Sequence, residues 1–331
     1  MKRWIKGMRD TFFGSLYNLA KKDKDIILIT ADTGAICLDE FKHKLSKQYI
    51  NIGIAEQNMV GVAAGLAMSG KIVYIYAIVP FATMRCYEQI RVDLCCMNLP
   101  VIVVGIGAGF DYSTLGPTHH GTEDIALMRS LPSMTIYSPS DSLMADFLAR
   151  ISCERRGPKY IRLDREGFPL IYKDEKDINI SGGFSLLKQG KDVYIIATGR
   201  MVYNALQVAR KISTHSIHAG VIDLFRIKPL NVEKIWSIIK EVGYVITLEE
   251  HCITGGIGSA ISEMLVTKKN IPAFKSIGIA DQFCRKYGTR EYLQRLNKID
   301  VDSVTEYIKK WIKRWWLWRG VFSCGFQEVL I

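Results

Sequence analysis

Short apolar runs alternate with amphipathic segments along most of the chain. In the first half, runs rich in Ile, Val, Leu and Tyr predict β-strands at residues 25–32, 48–53, 71–78, 99–106 and 133–139. Apolar positions at helical spacing predict helices between them, at residues 7–21, 55–69, 81–97, 122–130 and 141–152. This alternation is typical of right-handed βαβ units that build a largely parallel sheet with helices on both faces.

A polar stretch, YKDEKDINISGG, interrupts this pattern from residue 172, and the alternation of strands and helices resumes after it. The sequence therefore predicts an α/β protein with two doubly wound, largely parallel-sheet domains. The predicted boundaries are a first domain at 1–171, a linker at 172–184, a second domain at 185–308 and a Trp-rich basic tail of unknown role at 309–331.

Composition narrows the class of protein. The chain has 331 residues, of which 48% are hydrophobic, and its N-terminus MKRWIKGMRD lacks the apolar segment of a signal peptide. No uncharged apolar stretch reaches the length of a transmembrane helix, so we expect a soluble cytoplasmic protein with reduced cysteines. The formal net charge of +11 is spread along the chain rather than blocked into arms, so it is as compatible with an anionic small substrate as with a nucleic acid or a membrane surface.

Residues that could carry chemistry occur at three places. Glu56 opens the small, apolar segment AEQNMVGVAAGLAMSG, where an acidic residue also suits the first turn of a helix. His119 and His120 lie in the loop DYSTLGPTHHGTED, after a predicted parallel strand, at the edge where open α/β sheets bind ligands. Arg162 and Arg165 follow a further strand and suit an anionic substrate or a surface ion pair. The glycine run VVGIGAGF fails the spacing of a dinucleotide loop.

Several motifs together resemble one family over residues 5–308. They are MRDTFFGSL, ITADTG, NIGIAEQNMVGVAAGLAMSGK, FATMRCYEQIR, GPTHHGTEDIALMRSLPSMTIYSPSD, YIRLDRE, ATGRMVYNALQVAR, VIDLFRIKPL and EEHCITGGIGSA. In this order they resemble the C-terminal half of transketolase and the similar 1-deoxy-D-xylulose 5-phosphate synthase. The resemblance is greatest to the small subunit of split transketolases. It implies a pyrimidine-binding domain for thiamine diphosphate, followed by a transketolase C-terminal domain.

The resemblance implies roles on the cofactor side of a site. Glu56 matches the catalytic glutamate that meets N1′ of the aminopyrimidine of thiamine diphosphate, so it is expected both to bind the cofactor and to act in catalysis. Phe81 matches the aromatic residue that packs on the pyrimidine ring. Asp32 falls at a matching cofactor-side position.

On the substrate side, the resemblance makes His119 the substrate-facing histidine of the PTH motif, where it could orient or protonate a carbonyl oxygen. Arg162 matches an arginine that holds the substrate phosphate, and Arg9 falls at a matching substrate-side position. The aspartate that precedes GPTH in the family is Leu115 here, which puts the usual sugar-phosphate pair in doubt.

The GDG motif that holds the diphosphate and Mg²⁺ in this family does not occur in the chain. The resemblance therefore implies a larger partner subunit with that motif, an α2β2 assembly, and two-carbon ketol transfer from a ketose to an aldehyde. Two alternatives remain open at this point. One is the β subunit of a 2-oxo acid dehydrogenase or decarboxylating synthase, and the other is a non-catalytic interaction subunit whose Glu56 only opens a helix.

Overall fold

The computed structural model describes residues 7–154 and 156–323, with side chains described as far as residue 313. The strands are β1 Ile26–Thr30, β2 Tyr49–Asn51, β3 Ile72–Ile78, β4 Val101–Ile106, β5 Thr135–Tyr137, β6 Lys159–Leu163, β7 Ser185–Lys188, β8 Val193–Ala197, β9 Ala219–Asp223, β10 Arg226–Lys228, β11 Tyr244–Cys252 and β12 Ala273–Ile279. The helices are α1 Met8–Ala20, α2 Asp39–Lys44, α3 Glu56–Met68, α4 Val79–Thr83, α5 Tyr87–Gln89, α6 Asp124–Ser130, α7 Ser142–Ser152, α8 Met201–Ser213, α9 Val232–Ile239, α10 Ile257–Leu265, α11 Arg290–Leu296 and α12 Val301–Ser323.

These strands form two sheets, which confirms the predicted α/β class. The first has the order β10-β5-β6-β4-β3-β1-β2 and the second has the order β12-β11-β8-β9-β7. Within each sheet the pairs are parallel, except that β10 runs antiparallel to β5 and β7 runs antiparallel to β9. The carboxyl ends of the parallel strands therefore lie along one edge of each sheet, where loops can assemble a site.

The first sheet is covered by helices on both faces because its central strands β1, β3 and β4 are buried and apolar at nearly every position. In β1, Ile27 and Ile29 belong to a buried cluster that includes residues of α3, whereas Ile26 and Leu28 belong to a second cluster with residues of α1 and α7. Successive side chains of a strand point to opposite faces, so an uninterrupted apolar strand needs cover on both.

The two predicted domains are packed against each other. One contiguous buried cluster contains Met128 and Leu131 of the first part together with Ile257 and Ile261 of the second. In addition, the short strand β10 of the second part joins the edge of the first sheet, which the sequence pattern did not predict. The predicted linker at 172–184 lies between β6 and β7.

Two predicted segments differ in detail. The helix expected at 81–97 is broken into α4, α5 and a π-helical segment, Ile90–Cys96. The predicted tail begins inside α12, where Trp311 packs edge-on against Tyr244 with ring centroids 4.9 Å apart. The start of the tail therefore contributes to the second domain's packing, and residues 324–331 of it lie outside the described residues. No helix within the described residues is long and apolar enough to cross a membrane.

Candidate active site

Glu56 is the first residue of α3, and its side chain is buried although it is charged. Only 2% of the side chain is exposed, and both carboxylate oxygens accept hydrogen bonds from Nη1 of Arg85, at 2.8 and 2.9 Å. A position in the first turn is favourable for an acidic residue, but opening a helix does not require burial. A buried carboxylate is costly unless it is paired, so the contact with Arg85 is what allows Glu56 to be buried here.

Arg85 also lies against Phe81. The central carbon of its guanidinium is 4.1 Å from the centroid of the Phe81 ring, within the range of a cation–π contact. Both residues come from the interrupted helical segment after β3, whose breaks direct them towards Glu56. Arg85 thus lies between an aromatic face and a carboxylate, and 43% of its side chain remains exposed. It was not among the predicted site residues, although it lies within the motif FATMRCYEQIR.

His119 lies beside this group. Its ring is edge-on to Phe81 with centroids 5.3 Å apart, and Nδ1 is 2.9 Å from the hydroxyl of Thr118. Tyr112 approaches the other side of the imidazole at a centroid distance of 6.2 Å. The structure therefore brings together three predicted residues, Glu56, Phe81 and His119, from three separate segments of the chain.

An arginine at the end of β6 also faces this region, but it is Arg165 rather than Arg162. The guanidinium of Arg165 lies 5.0 Å from the centroid of Tyr112, and 40% of its side chain is exposed. The backbone N–H of Arg165 donates to Asp111 at 2.7 Å, which fixes the chain at the end of the strand. The motif YIRLDRE contains both arginines, of which Arg165 is partly exposed and Arg162 is buried.

Arg162 is buried and already paired. Its Nε donates to Asp124 at 2.8 Å, and its Nη2 donates to the carbonyl of Gly121 at 2.7 Å and to the carbonyl of Glu250 at 3.3 Å. A substrate phosphate would have to displace these partners and enter the interior. In this placement Nε and Nη2 of Arg162 hold the fold together, and its phosphate contact stays a prediction.

Asp32 and Arg9 lie at the same edge of the first sheet. Asp32 follows β1 in a left-handed conformation (φ 55°) and exchanges hydrogen bonds with Asn51, which leaves it exposed. Arg9, in the first turn of α1, pairs with Asp10 at 2.8 Å, and its backbone N–H donates to the carbonyl of Asp164. Among the described contacts, neither side chain touches Glu56, Phe81 or His119, and their binding roles stay predictions.

The loop that carries His119 spans residues 107–123, between β4 and α6, and we call it the site loop. Its base is closed by two backbone hydrogen bonds between Gly109 and Gly121, at 2.8 and 2.9 Å. Gly107 has a φ of +93°, and a Cβ there would overlap the ring of Tyr112, so only glycine fits. Leu115, in place of the family's aspartate, lies on this loop and is 47% exposed.

Behind the site loop lies a sealed ionic cluster. Arg290 of α11 pairs with Asp164 at 2.5 Å and with Glu250 at 2.5 Å, and all three side chains are buried. Although burial opposes ionisation, the Arg290 guanidinium lowers the pKa of Glu250. Burial and the neighbouring Asp164 raise the pKa of Asp111, on the loop side of the cluster, to about 7. No pattern in the sequence pointed to Arg290, and Glu250 lies in the motif EEHCITGGIGSA without a predicted role.

The site residues fit one end of thiamine diphosphate. A flat aminopyrimidine needs an aromatic face and a carboxylate at its edge, which Phe81 and Glu56 provide. The planar guanidinium of Arg85 lies between these two groups, so the space admits a flat, nitrogen-rich group. In the described part of the chain, no group of His, Cys, Asp and Glu side chains could hold a metal ion.

Comparisons with known proteins agree with these motifs. The family model "Transketolase, pyrimidine binding domain" matches residues 6–169, and "Transketolase, C-terminal domain" matches residues 182–304. An apulose-4-phosphate transketolase subunit of Phocaeicola vulgatus is 37% identical over 275 residues, which are 83% of this chain and 88% of the relative. The 1-deoxy-D-xylulose-5-phosphate synthase of Trichormus variabilis is 39% identical over 278 residues, 82% of this chain but 43% of the relative.

A solved structure described as a split gene transketolase, inactive beta4 tetramer, superposes with a TM-score of 0.83 at 33% identity. The superposition covers 92% of this chain and 98% of that one. The matches span both sheets and include the segments that carry Glu56, Phe81 and His119. The chain therefore belongs to the transketolase family, of which it contains the pyrimidine-binding and C-terminal domains.

Proposed function

We propose that this chain is the small, cytoplasmic subunit of a split transketolase, which transfers a two-carbon ketol unit from a ketose or ketose phosphate to an aldehyde. The observation that carries the proposal is the convergence of Glu56, Phe81 and His119 at one edge of the first sheet. A helix-opening glutamate alone would have no reason to be buried beside an aromatic ring and a histidine.

Bound thiamine diphosphate would supply the carbanion chemistry that such a transfer needs. In this chain, Glu56 would hold a proton in a hydrogen bond to the pyrimidine nitrogen, and burial would strengthen that bond by excluding water. Phe81 would support one face of the ring. Arg85 would leave the carboxylate, and its exposed side chain has solvent to move into.

On the substrate side, His119 would bind or protonate the carbonyl oxygen of the substrate, since its imidazole is beside Phe81. Arg165 would attract an anionic group of the substrate, because its guanidinium is the exposed one beside the site loop. Leu115 presents an apolar surface where the family has a carboxylate, which favours a less hydroxylated acceptor than the usual sugar phosphate.

The diphosphate and Mg²⁺ would be held by a larger partner subunit with a GDG motif, in an α2β2 assembly. Three observations support a partner. The described residues include no candidate metal ligands in a cluster. A relative that is 37% identical is named as one subunit of a transketolase, and a similar solved structure is described as an inactive β tetramer.

The decisive experiment is reconstitution. The full chain would be co-purified with a candidate larger subunit that carries GDG and a downstream Asn, and ketol transfer would be measured with thiamine diphosphate, Mg²⁺, a ketose donor and a panel of aldehydes. Each subunit alone serves as a control. We expect transfer only in the mixture, and weak binding of thiamine diphosphate to the isolated chain by calorimetry.

Three results would overturn the proposal. Transfer by the isolated chain would remove the need for a partner. Decarboxylation of a 2-oxo acid that depends on a lipoyl carrier, without ketol transfer, would identify the alternative family reaction. An assembled complex that turns over no substrate with either reaction would favour the non-catalytic interaction subunit.

A further inference from the structure

Among the described contacts, the second domain contributes no residue to the group around Glu56, yet it contacts the site loop at both ends. At the first end, Oε2 of Glu250 accepts a hydrogen bond from the backbone N–H of Phe110 at 3.0 Å. Gly109, beside it, has a φ of +58°, and a Cβ there would overlap the Glu250 carboxylate. The backbone of the loop is thus fitted closely around this side chain.

At the other end of the site loop, His251 holds the start of α6. Its Nε2 accepts from the backbone N–H groups of Ile125 and Ala126, at 3.1 and 3.4 Å, while Nδ1 donates to the carbonyl of Cys252 at 2.6 Å. Burial lowers the pKa of His251 to about 4, so the imidazole is neutral and can accept at Nε2. The backbone N–H of Cys252 also donates to the carbonyl of Thr122 at 2.8 Å.

Arg290 connects these contacts to the rest of the fold. It holds Glu250 through Nε and Nη2, and its Nη2 also donates to the carbonyl of Ala108 at 3.2 Å, inside the site loop. Gln294, on the same helix, donates to the other oxygen of Glu250 at 2.6 Å. Each oxygen of the Glu250 carboxylate therefore accepts a hydrogen bond, and these bonds together hold the side chain in a single orientation.

We propose that Glu250, His251 and Arg290, which we call the loop brace, are positioning residues for the reaction. By fixing both ends of the site loop they fix His119 relative to Glu56. The inference rests on the proposed function for its catalytic consequence, but the restraint on the loop is independent of it. A misplacement of about 1 Å at a reacting group can cost on the order of 100-fold in rate. Residues that position His119 without touching the substrate can therefore affect the rate as much as residues that touch it.

The chain offers a matched control one residue away. Glu249 lies on the same strand, is equally buried, and accepts from the backbone N–H groups of Ile257 and Gly258, at 2.7 and 2.9 Å. It holds the start of α10 and makes no hydrogen bond to the site loop among the described contacts, although its Oε2 lies 3.9 Å from Nδ1 of His251. Glu249→Gln and Glu250→Gln therefore make the same side-chain substitution at two places that differ in what they hold. Burial raises the pKa of Glu249 to about 8, whereas Arg290 lowers the pKa of Glu250, so only Glu250→Gln also removes a negative charge.

The test has two readouts. Hydrogen–deuterium exchange on the full chain would compare residues 107–126 with residues 256–262. We expect Glu250→Gln to speed exchange in the site loop about tenfold or more, and Glu249→Gln to act chiefly at the start of α10, where its two hydrogen bonds lie. In the reconstituted enzyme, we expect Glu250→Gln to lower kcat on the order of 10- to 100-fold while the Kd for thiamine diphosphate changes less than about twofold.

His251→Gln provides a second variant, because Glu250→Gln could reduce folding as a whole. It retains an acceptor towards α6 but alters its reach, and we expect faster exchange at residues 120–128 with a smaller loss of kcat. Thermal unfolding of each variant would establish that it is folded. Unchanged exchange in the site loop for both variants would overturn the brace, as would normal kcat with a loosened loop. A wild-type complex without ketol transfer would instead overturn the proposed function, and the exchange result would still stand.

Discussion

Two arginine–carboxylate groups in this protein are built from the same residue types and differ in access to water. Arg85 meets Glu56 from a side chain that is 43% exposed, whereas Arg290 meets Glu250 and Asp164 from one that is 7% exposed. An exposed guanidinium can exchange its partner for a ligand because water replaces the lost contact. A sealed one cannot, because removing it leaves unpaired charge in the interior. The first arrangement suits a binding site, and the second suits a brace.

The largest effect should come from the open group. We expect Glu56→Gln to lower kcat by about three orders of magnitude in the reconstituted enzyme, because an amide cannot hold the shared proton that the reaction needs. Steady-state kinetics with the assembled complex would measure this. Glu88→Gln, an exposed glutamate that pairs with Arg91 at 3.7 Å, is the control and should retain full activity. Equal turnover of Glu56→Gln and wild type would make Glu56 only the opening residue of α3.

The sealed group should show its effect in stability. Arg290→Met removes the cation from the buried carboxylates of Asp111, Asp164 and Glu250, and we expect the free energy of unfolding to fall by about 3 kcal/mol. Arg200→Met is the matched control, because Arg200 also packs on Phe168, at 4.2 Å, but pairs with the exposed Glu291. Urea denaturation of both variants would make the comparison. Similar losses for both would show that packing on Phe168, rather than the ion cluster, carries the stability.

Asp223 is a further buried carboxylate, and it sharpens the comparison because its described partners are hydroxyls rather than arginines. Burial raises the pKa of Asp223 to about 7, against hydrogen bonds from Ser140 and Tyr172. The folded protein therefore binds a proton at pH values where the unfolded chain, with a pKa of 3.8, has released it. The bound proton therefore contributes to the free energy of unfolding at low pH, and this contribution is lost as the pH rises towards 7.

Asp223→Asn removes that titration and keeps a neutral side chain of similar shape. Relative to wild type, we expect the stability of the variant to improve by about 2 kcal/mol as the pH is raised from about 5.5 to 7. Unfolding free energies across this range would test it, since the other titrating groups are common to both proteins. Parallel curves for the two proteins would mean that Asp223 is ionised throughout.

The smallest effect should come from Arg85→Ala. Because Arg85 is almost half exposed, water can reach the oxygens of Glu56 once it is removed, and we expect a loss of only about 1 kcal/mol in unfolding free energy. The same urea titration as for Arg290→Met would measure it. A loss as large as that of Arg290→Met would contradict the division into an open and a sealed group.

Most strands of the first sheet were predictable because their apolar runs are long, and because apolar residues recur at helical spacing in the segments between them. The break in the helix at 81–97 was not predictable, and neither was β10, whose three residues are too few to establish an alternation and pair with the neighbouring β5. The resemblance pointed to Arg162, and nothing in the local pattern predicted that Arg165 would be the exposed arginine of the two. Two arginines three residues apart at a strand end look alike until packing buries one of them.

By itself, the sequence determined the α/β class, the family, and the segments that carry Glu56, Phe81 and His119, because these depend on local pattern and on motifs that stand in a fixed order. Only the tertiary structure decided that Arg85 lies between Phe81 and Glu56, that Arg165 rather than Arg162 is exposed, and that Glu250 and Arg290 hold the site loop. The physical reason is that burial and ion pairing arise between residues far apart in the chain, such as Phe110 and Glu250 at a separation of 140 residues. No local pattern encodes which of them will meet.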